Sequence, residues 1–202
     1  MRKLLVGIAC VGLAFAASAD SISFSAVGES PNDHLQASAL FDITDTEVII
    51  TLRNRSLVAV EVPSDLLSGL YFDLANANAL TAVSATLLTG GSVVLSGSTV
   101  YTGPLNVGGE FAYRGDLSSG FNGAQYGVSN SGMDDVFGPG DRFDTSTDLD
   151  PPASPDGPNY GMASAGGISA TANAGVTDNP IILGQVQFLF DYSGELDVDD
   201  IS

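Results

Sequence analysis

The richest potential for metal chemistry in this chain is acidic. Asp134, Asp135, Asp141, Asp144, Asp148, Asp150 and Asp156 fall within one Gly- and Pro-rich stretch, and Arg142 is the single cation among them. Calcium takes roughly six to eight oxygens from flexible loops. Ordering so many like charges without a cation is opposed by their repulsion. The stretch therefore offers a Ca²⁺ site, with Asp134, Asp135, Asp141, Asp144, Asp148 and Asp150 as its ligands. It holds no D-x-D-x-D-G loop and no glycine-rich nonapeptide, so the signal is one of composition. The competing reading is a solvated acidic loop whose Asp side chains cap turns.

The same region carries aromatic residues. Tyr113, Tyr126 and Tyr160 are candidates for a platform that stacks on sugar rings, although the chain has no Trp, the stronger platform. Turn tyrosines also pack with the ring covered and the hydroxyl bonded to backbone. Phe111, Phe121, Phe137 and Phe143 are expected to pin the region onto the rest of the protein as a second small core. Gln125-Tyr126-Gly127-Val128 and Asn159-Tyr160-Gly161-Met162 echo each other, which suggests two similar corners with glycine at positive φ after each Tyr.

Catalytic constellations are poor. His34 is the only histidine, so a Ser-His-Asp triad would depend on it, and neither Ser129 nor Ser164 lies in a G-x-S-x-G elbow. Beyond residue 19 there is no Cys and no Lys, which excludes thiol and Schiff-base chemistry there, and a His-rich zinc site is not available. A carboxylate pair for glycoside hydrolysis stays open as a composition-level alternative. With 24 acidic residues, however, some pair always falls at a suitable separation. No catalysis is expected.

The N-terminus indicates where this chemistry would operate. Met1-Arg2-Lys3 is a positive head, Leu4 to Ala16 is apolar, and Ala17-Ser18-Ala19 supplies small residues. That is the layout of a secretory signal peptide, and the apolar run is too short for a membrane span. Cleavage is expected between Ala19 and Asp20. Cys10 is not expected to be lipidated, because Gly7 stands where a lipobox needs a large aliphatic residue. Loss of Arg2 and Lys3 takes the formal charge from −18 to −20 and leaves Arg53, Arg55, Arg114 and Arg142 as the cations. A chain this acidic repels nucleic acid and anionic lipid, so neither is an expected partner, and no stable membrane insertion of the mature chain is expected. With 44% apolar residues it still has material for a core, and residues 20–202 are expected to form one domain.

From Asp20 onward the hydrophobic period is two. Ile22, Phe24 and Ala26 alternate with serines; Leu35 to Ile43 and Val48 to Leu52 alternate on either side of Thr44-Asp45-Thr46, which predicts an antiparallel hairpin over 35–54. Pro63-Ser64-Asp65 marks a turn, with one helical turn expected at Leu66-Leu67. Further strands are expected at 69–75, 80–88 and 92–95, with short islands at 110–114 and 125–129. A single long strand is expected over 181–192, with Val186, Phe188 and Phe190 on one face. No amphipathic helix of three turns is present. The reading is all-β, an antiparallel β-sandwich interrupted by a long Gly/Pro/Asp-rich irregular insertion over 106–180.

Several stretches together resemble the exosortase-dependent surface proteins of bacteria, which usually end in a PEP-CTERM sorting tail. They are ASALFDITDTEVIITLRN (37–54), the run 64–94, GGEFAYRGDL (108–117), QYGVSNSGMDDVFGPGDRF (125–143), SPDGPNYGMASAG (154–166) and the late strand 179–190. FGPGDRF and SPDGPNYG carry most of the specificity. The resemblance implies an exported β-sandwich that is held at the surface or released into extracellular polymer, and it implies no enzymatic activity. The residues up to Ser202 contain no Pro-Glu-Pro motif, apolar segment or basic end. Two readings stay open, a truncated product and a tail-less secreted variant, and a missing strand would leave an exposed sheet edge. The expected function is that of a secreted or cell-surface structural or adhesive protein whose partners are extracellular polysaccharide or other surface proteins. The alternative is a carbohydrate-binding module stabilised by Ca²⁺.

Overall fold

The computed structural model describes residues 20–28, 34–75, 79–88, 93–102, 105–117, 123–133, 135–143 and 155–202. The chain is all-β. Strands β1 (Asp20–Val27), β2 (Gln36–Ile43) and β3 (Glu47–Asn54) form a meander, and β12 (Gln185–Asp191) and β5 (Thr81–Leu87) complete a five-stranded antiparallel sheet in the order β1-β2-β3-β12-β5. The predicted hairpin is β2–β3, with Phe41 opposite Ile50 and Ile43 opposite Val48. Its turn is closed by the Thr44 hydroxyl, which accepts from the Glu47 amide at 3.0 Å. Strict alternation then sends Val48, Ile50, Leu52 and Asn54 inward along β3.

A three-stranded sheet faces this one, in the order β4 (Gly69–Phe72), β9 (Tyr126–Ser129), β8 (Ala112–Arg114). Two of its three strands come from the region 106–180. The described residues of that region are mostly irregular, yet they supply the facing layer of the sandwich rather than an appendage. Aromatic residues join the layers. Phe111 meets Phe188 at 5.1 Å between ring centroids, Phe143 meets both Phe188 and Phe190 at 5.3 Å, and Phe41 meets Phe72 at 5.4 Å.

The expectation of a second small phenylalanine core is therefore corrected. Phe111 and Phe143 belong to the main core, because their strand and loop lie directly over β12. Phe137 packs on Tyr71, and Phe121 lies outside the described residues. The smaller cluster consists of Val60, Leu66, Ala163, Val176 and Ile181.

A third sheet has the order β10 (Met162–Ala163), β11 (Ile181–Leu183), β6 (Val93–Ser96), β7 (Thr99–Thr102). It is antiparallel apart from the two-residue β10–β11 pair. The single strand expected over 181–192 is in fact two. Gly184, at φ 114°, breaks it, so β11 pairs with β6 while β12 pairs with β3 and β5. Such corners let one chain serve two sheets. The helical turn expected at Leu66-Leu67 lies slightly earlier, as a 3-10 turn at Pro63–Asp65, where the Asp65 carboxylate accepts from the Glu61 and Val62 amides. Among the described residues the α-helix is the four-residue α1 (Ala174–Thr177), and no helix is long and apolar enough to cross a membrane.

Candidate functional site

The residues singled out for chemistry are placed very differently by the fold. Tyr126 and Tyr160 are 4% and 5% exposed. Tyr126 stacks on Phe72 at 5.5 Å with an interplanar angle of 18°, so that ring face is taken up by protein. Tyr113 is half-buried against Phe190 and Phe143, and its hydroxyl donates to Leu80 O at 3.2 Å. Burial, aided by Tyr126 and Asp116, holds the Tyr113 phenol far above its ordinary pKa. Tyr126 and Tyr160 are core residues, Tyr113 packs against the core, and a sugar-stacking platform has no exposed ring at Tyr126 or Tyr160. The two Tyr-Gly corners also differ from expectation. Positive φ falls on Tyr160 itself, at 56°. Gly127 instead sits in close packing, since a Cβ there would stand 3.1 Å from both Leu117 and Tyr71 and press on their side chains.

Of the acidic residues, Asp134, Asp144, Asp148 and Asp150 lie outside the described residues. Asp135 is exposed at φ 68°. Asp141 accepts from the Gly138 amide at 2.7 Å and lies 3.9 Å from the Arg114 guanidinium, so it closes a turn. Asp156 is exposed and accepts from Asn159 Nδ2 at 3.1 Å. No three His, Cys, Asp or Glu side chains converge among the described residues. Sequence reasoning missed a neighbouring amide pair. Asn130, 1% exposed, donates through Nδ2 to Asn159 O at 2.5 Å, and the Oδ1 atoms of both Asn130 and Asn159 are buried without accepting a hydrogen bond.

The hydroxyls considered for a triad are committed to backbone. Ser129 donates to Ser68 O at 3.1 Å and Ser164 to Val58 O at 2.5 Å, while His34 is exposed just before β2. Asn54, in a sequence that matches a glycosylation sequon, is a buried strand end. Its Nδ2 donates to Asp65 O and Met162 O, and its Oδ1 accepts from the Ser56 amide.

Comparison with protein-family models, curated proteins and solved structures gives no match. The candidate site is thus read from the surface itself.

The most distinctive surface is the β1 side of the sandwich. Five strands lie over three, so β1 overhangs. Its inner face carries Ile22, Phe24 and Ala26, in register with Phe41, Ala39 and Ala37 of β2. The alternation is that of a core strand, yet Phe24 is 37% exposed and Ala26 is exposed as well, while Ile22 is half-buried against the core. Beneath it run two adjoining hollows of about 200 and 250 Å³, which share Ala26, Ala37 and Leu67 in their walls. Leu66 and Leu70 add further apolar lining from the opposite layer.

No strand among the described residues lies on the outer side of β1. The strand is eight residues long, has no bulge in its pairing with β2, and contains neither Pro nor Lys. Natural sheets usually blunt an edge with one of those devices. This edge has none. Chemically, it offers a row of backbone donors and acceptors above an apolar trough, which is the arrangement that accepts an added strand.

Proposed function

We propose that this chain is an exported, non-catalytic structural or adhesive protein of the cell surface or extracellular polymer, and that it works through the β1 edge and the trough beneath it. The observation that carries the reading is the edge strand whose apolar inner face, packed at Ile22, is open at Phe24 and Ala26. A surface of that kind favours association with an extended partner. The signal-peptide layout of residues 1–19 and the resemblance to exosortase-dependent surface proteins support the location. The test is fractionation of a producing bacterial culture into cytoplasm, envelope, extracellular polymer and medium, with the native chain and with Phe24→Lys. Recovery in the envelope or polymer fraction, and transfer to the medium on Phe24→Lys, are expected. Retention of the native chain in the cytoplasm would overturn the reading.

A second reading, the Ca²⁺-stabilised carbohydrate-binding module, is favoured by the amide pair. Asn130 Oδ1 and Asn159 Oδ1 are the kind of hard oxygen that Ca²⁺ accepts, and the Asp156 carboxylate is held by Asn159 Nδ2. Thermal unfolding in EDTA and then in millimolar CaCl₂ decides it. A midpoint that rises by several degrees with Ca²⁺ supports a bound cation, and an unchanged midpoint removes it.

A further inference from the structure

The β1 edge also defines which of its backbone groups are available. Gly28 N donates to Leu35 O at 2.8 Å, one step beyond the register that pairs Val27 with Gln36. Directly opposed residues of an antiparallel pair alternate between exchanging both hydrogen bonds and exchanging none. Ala26, Phe24 and Ile22 therefore bond inward to β2, and Ser21, Ser23, Ser25 and Val27 present their peptide groups outward. The bond from Arg55 N to Gln36 O, at 2.7 Å, agrees, because it turns Gln36 toward β3 and away from Val27. Odd-numbered residues carry the open hydrogen-bonding edge, and even-numbered residues carry the apolar face.

We propose that the partner of this edge is a second copy of the same chain, paired β1 to β1 in antiparallel register about Phe24. The proposal rests on the reading of β1 as the working edge. A two-fold pair centred on Phe24 sets Ser21 opposite Val27 and Ser23 opposite Ser25, so all four outward-facing residues find outward-facing partners. The same register sets Phe24 opposite its own copy and Ile22 opposite Ala26, so the apolar faces of both copies join on one side. A one-residue slip would satisfy neither condition. In this pairing Phe24 occupies a non-hydrogen-bonded position, where opposed side chains approach most closely.

Charge is compatible with the same occupant. The chain carries −18, yet Asp20 is the only charged residue of β1, so this strip is where two copies approach with little local repulsion. The outer face beside it has opposite ends. Asp42, which accepts from the Ser21 hydroxyl, stands at one, and Arg53, in the row of Ser25 and Ser38, at the other. Antiparallel pairing brings the Asp42 end of one copy alongside the Arg53 end of the next. Four strand spacings separate them by roughly 20 Å, beyond the Debye length of about 8 Å at physiological salt. At that distance salt screens the contrast, so the backbone ladder and the apolar face set the register and hold the pair.

The experiment is sedimentation of the purified chain at about 0.15 M salt, where repulsion between two acidic copies is screened, with Ser23→Pro and Ser25→Lys alongside. Proline removes an N–H that points out of the sheet and is tolerated at an edge. Lysine keeps the backbone and charges the strip. The native chain is expected at twice the monomer mass at concentrations up to about 100 µM, which fills an interface of micromolar Kd. Both variants are expected at the monomer mass, and at the thermal midpoint that the native chain shows when diluted well below the dimer Kd. Should Ser23→Pro fail to fold, Ser25→Lys alone decides. A monomeric native chain, or a dimer that survives Ser25→Lys, overturns the proposal. Culture fractionation reads the functional proposal separately: a dimer confined to the cytoplasm keeps this inference and sinks that one.

Discussion

Phe24 meets Phe41 edge-on, with ring centroids 5.8 Å apart and an interplanar angle of 86°, yet Phe41 is 1% exposed and Phe24 is 37% exposed. The two rings lie on the same face of adjacent strands. What separates them is the second layer, which reaches Phe41 through Phe72 and stops short of Phe24. Phe41→Ala opens a cavity between the sheets and is expected to cost about 3–5 kcal/mol, much of the roughly 5–15 kcal/mol that holds an ordinary domain together. Phe24→Ala loses a half-covered ring and is expected to cost about 1 kcal/mol. Urea unfolding of both variants checks the ratio, and equal losses would mean that β1 is covered.

Asn54 ties the end of β3 to two other segments. Its amide donates at 3.1 Å to both Asp65 O and Met162 O, and its carbonyl accepts at 3.0 Å from the Ser56 amide. Asn54→Leu keeps the volume and strands these partners in a buried site, at an expected cost of about 2–4 kcal/mol. Chemical denaturation gives the value directly. A change below about 0.5 kcal/mol, the range of ordinary surface substitutions, would show that the three bonds are not made in solution.

Gly184 stands at φ 114°, a conformation that a side chain resists, at the corner where β11 leaves one sheet and β12 enters another. Gly184→Ala is expected to destabilise by about 1–3 kcal/mol, against near-neutrality for an alanine at Gly140, where a Cβ meets nothing within 4 Å. Thermal midpoints of the two variants test this pairwise, and equal midpoints would count against a strained corner.

Alkaline pH should unfold the protein through its tyrosines. Burial raises the pKa of Tyr71, Tyr113, Tyr126 and Tyr192 in the folded state, with Asp73 adding to the effect at Tyr126 and Asp45 at Tyr192. A phenol raised in this way holds its proton longer when folded. Its stabilising contribution is intact below the unfolded value of about 10 and is lost as pH rises from there through the folded value. Residues 20–202 contain no Lys or Cys, so few other side chains titrate in that window. Thermal midpoints between neutral pH and pH 11 are expected to stay level and then fall beyond about 10. A midpoint that begins to fall well below that pH would assign the loss to another group.

Much of the first sheet was legible in the sequence. Period-two alternation marked the inward sides of β1, β2, β3 and β12, and the Thr44-Asp45-Thr46 break located the hairpin that the Thr44 hydroxyl closes. The region 106–180 was not legible as a sandwich layer. Its strands β8, β9 and β10 are two to four residues long, too short for a period to declare itself, and long-range pairing such as Tyr71 with Gly127 leaves no local mark.

The candidate site divides along the same line. Residue type alone determined that residues 20–202 are acidic, lack Cys and Lys, and alternate Ile22, Phe24 and Ala26 with serines on a strand. Tertiary structure decided that Tyr126 and Tyr160 are core residues, that Asn130 and Asn159 meet, and that Phe24 stays open to solvent. Alternation is a property of one strand's backbone and assigns each side chain to a face. Whether a face is covered depends on how far the opposing sheet extends, which is set by contacts between residues remote in sequence.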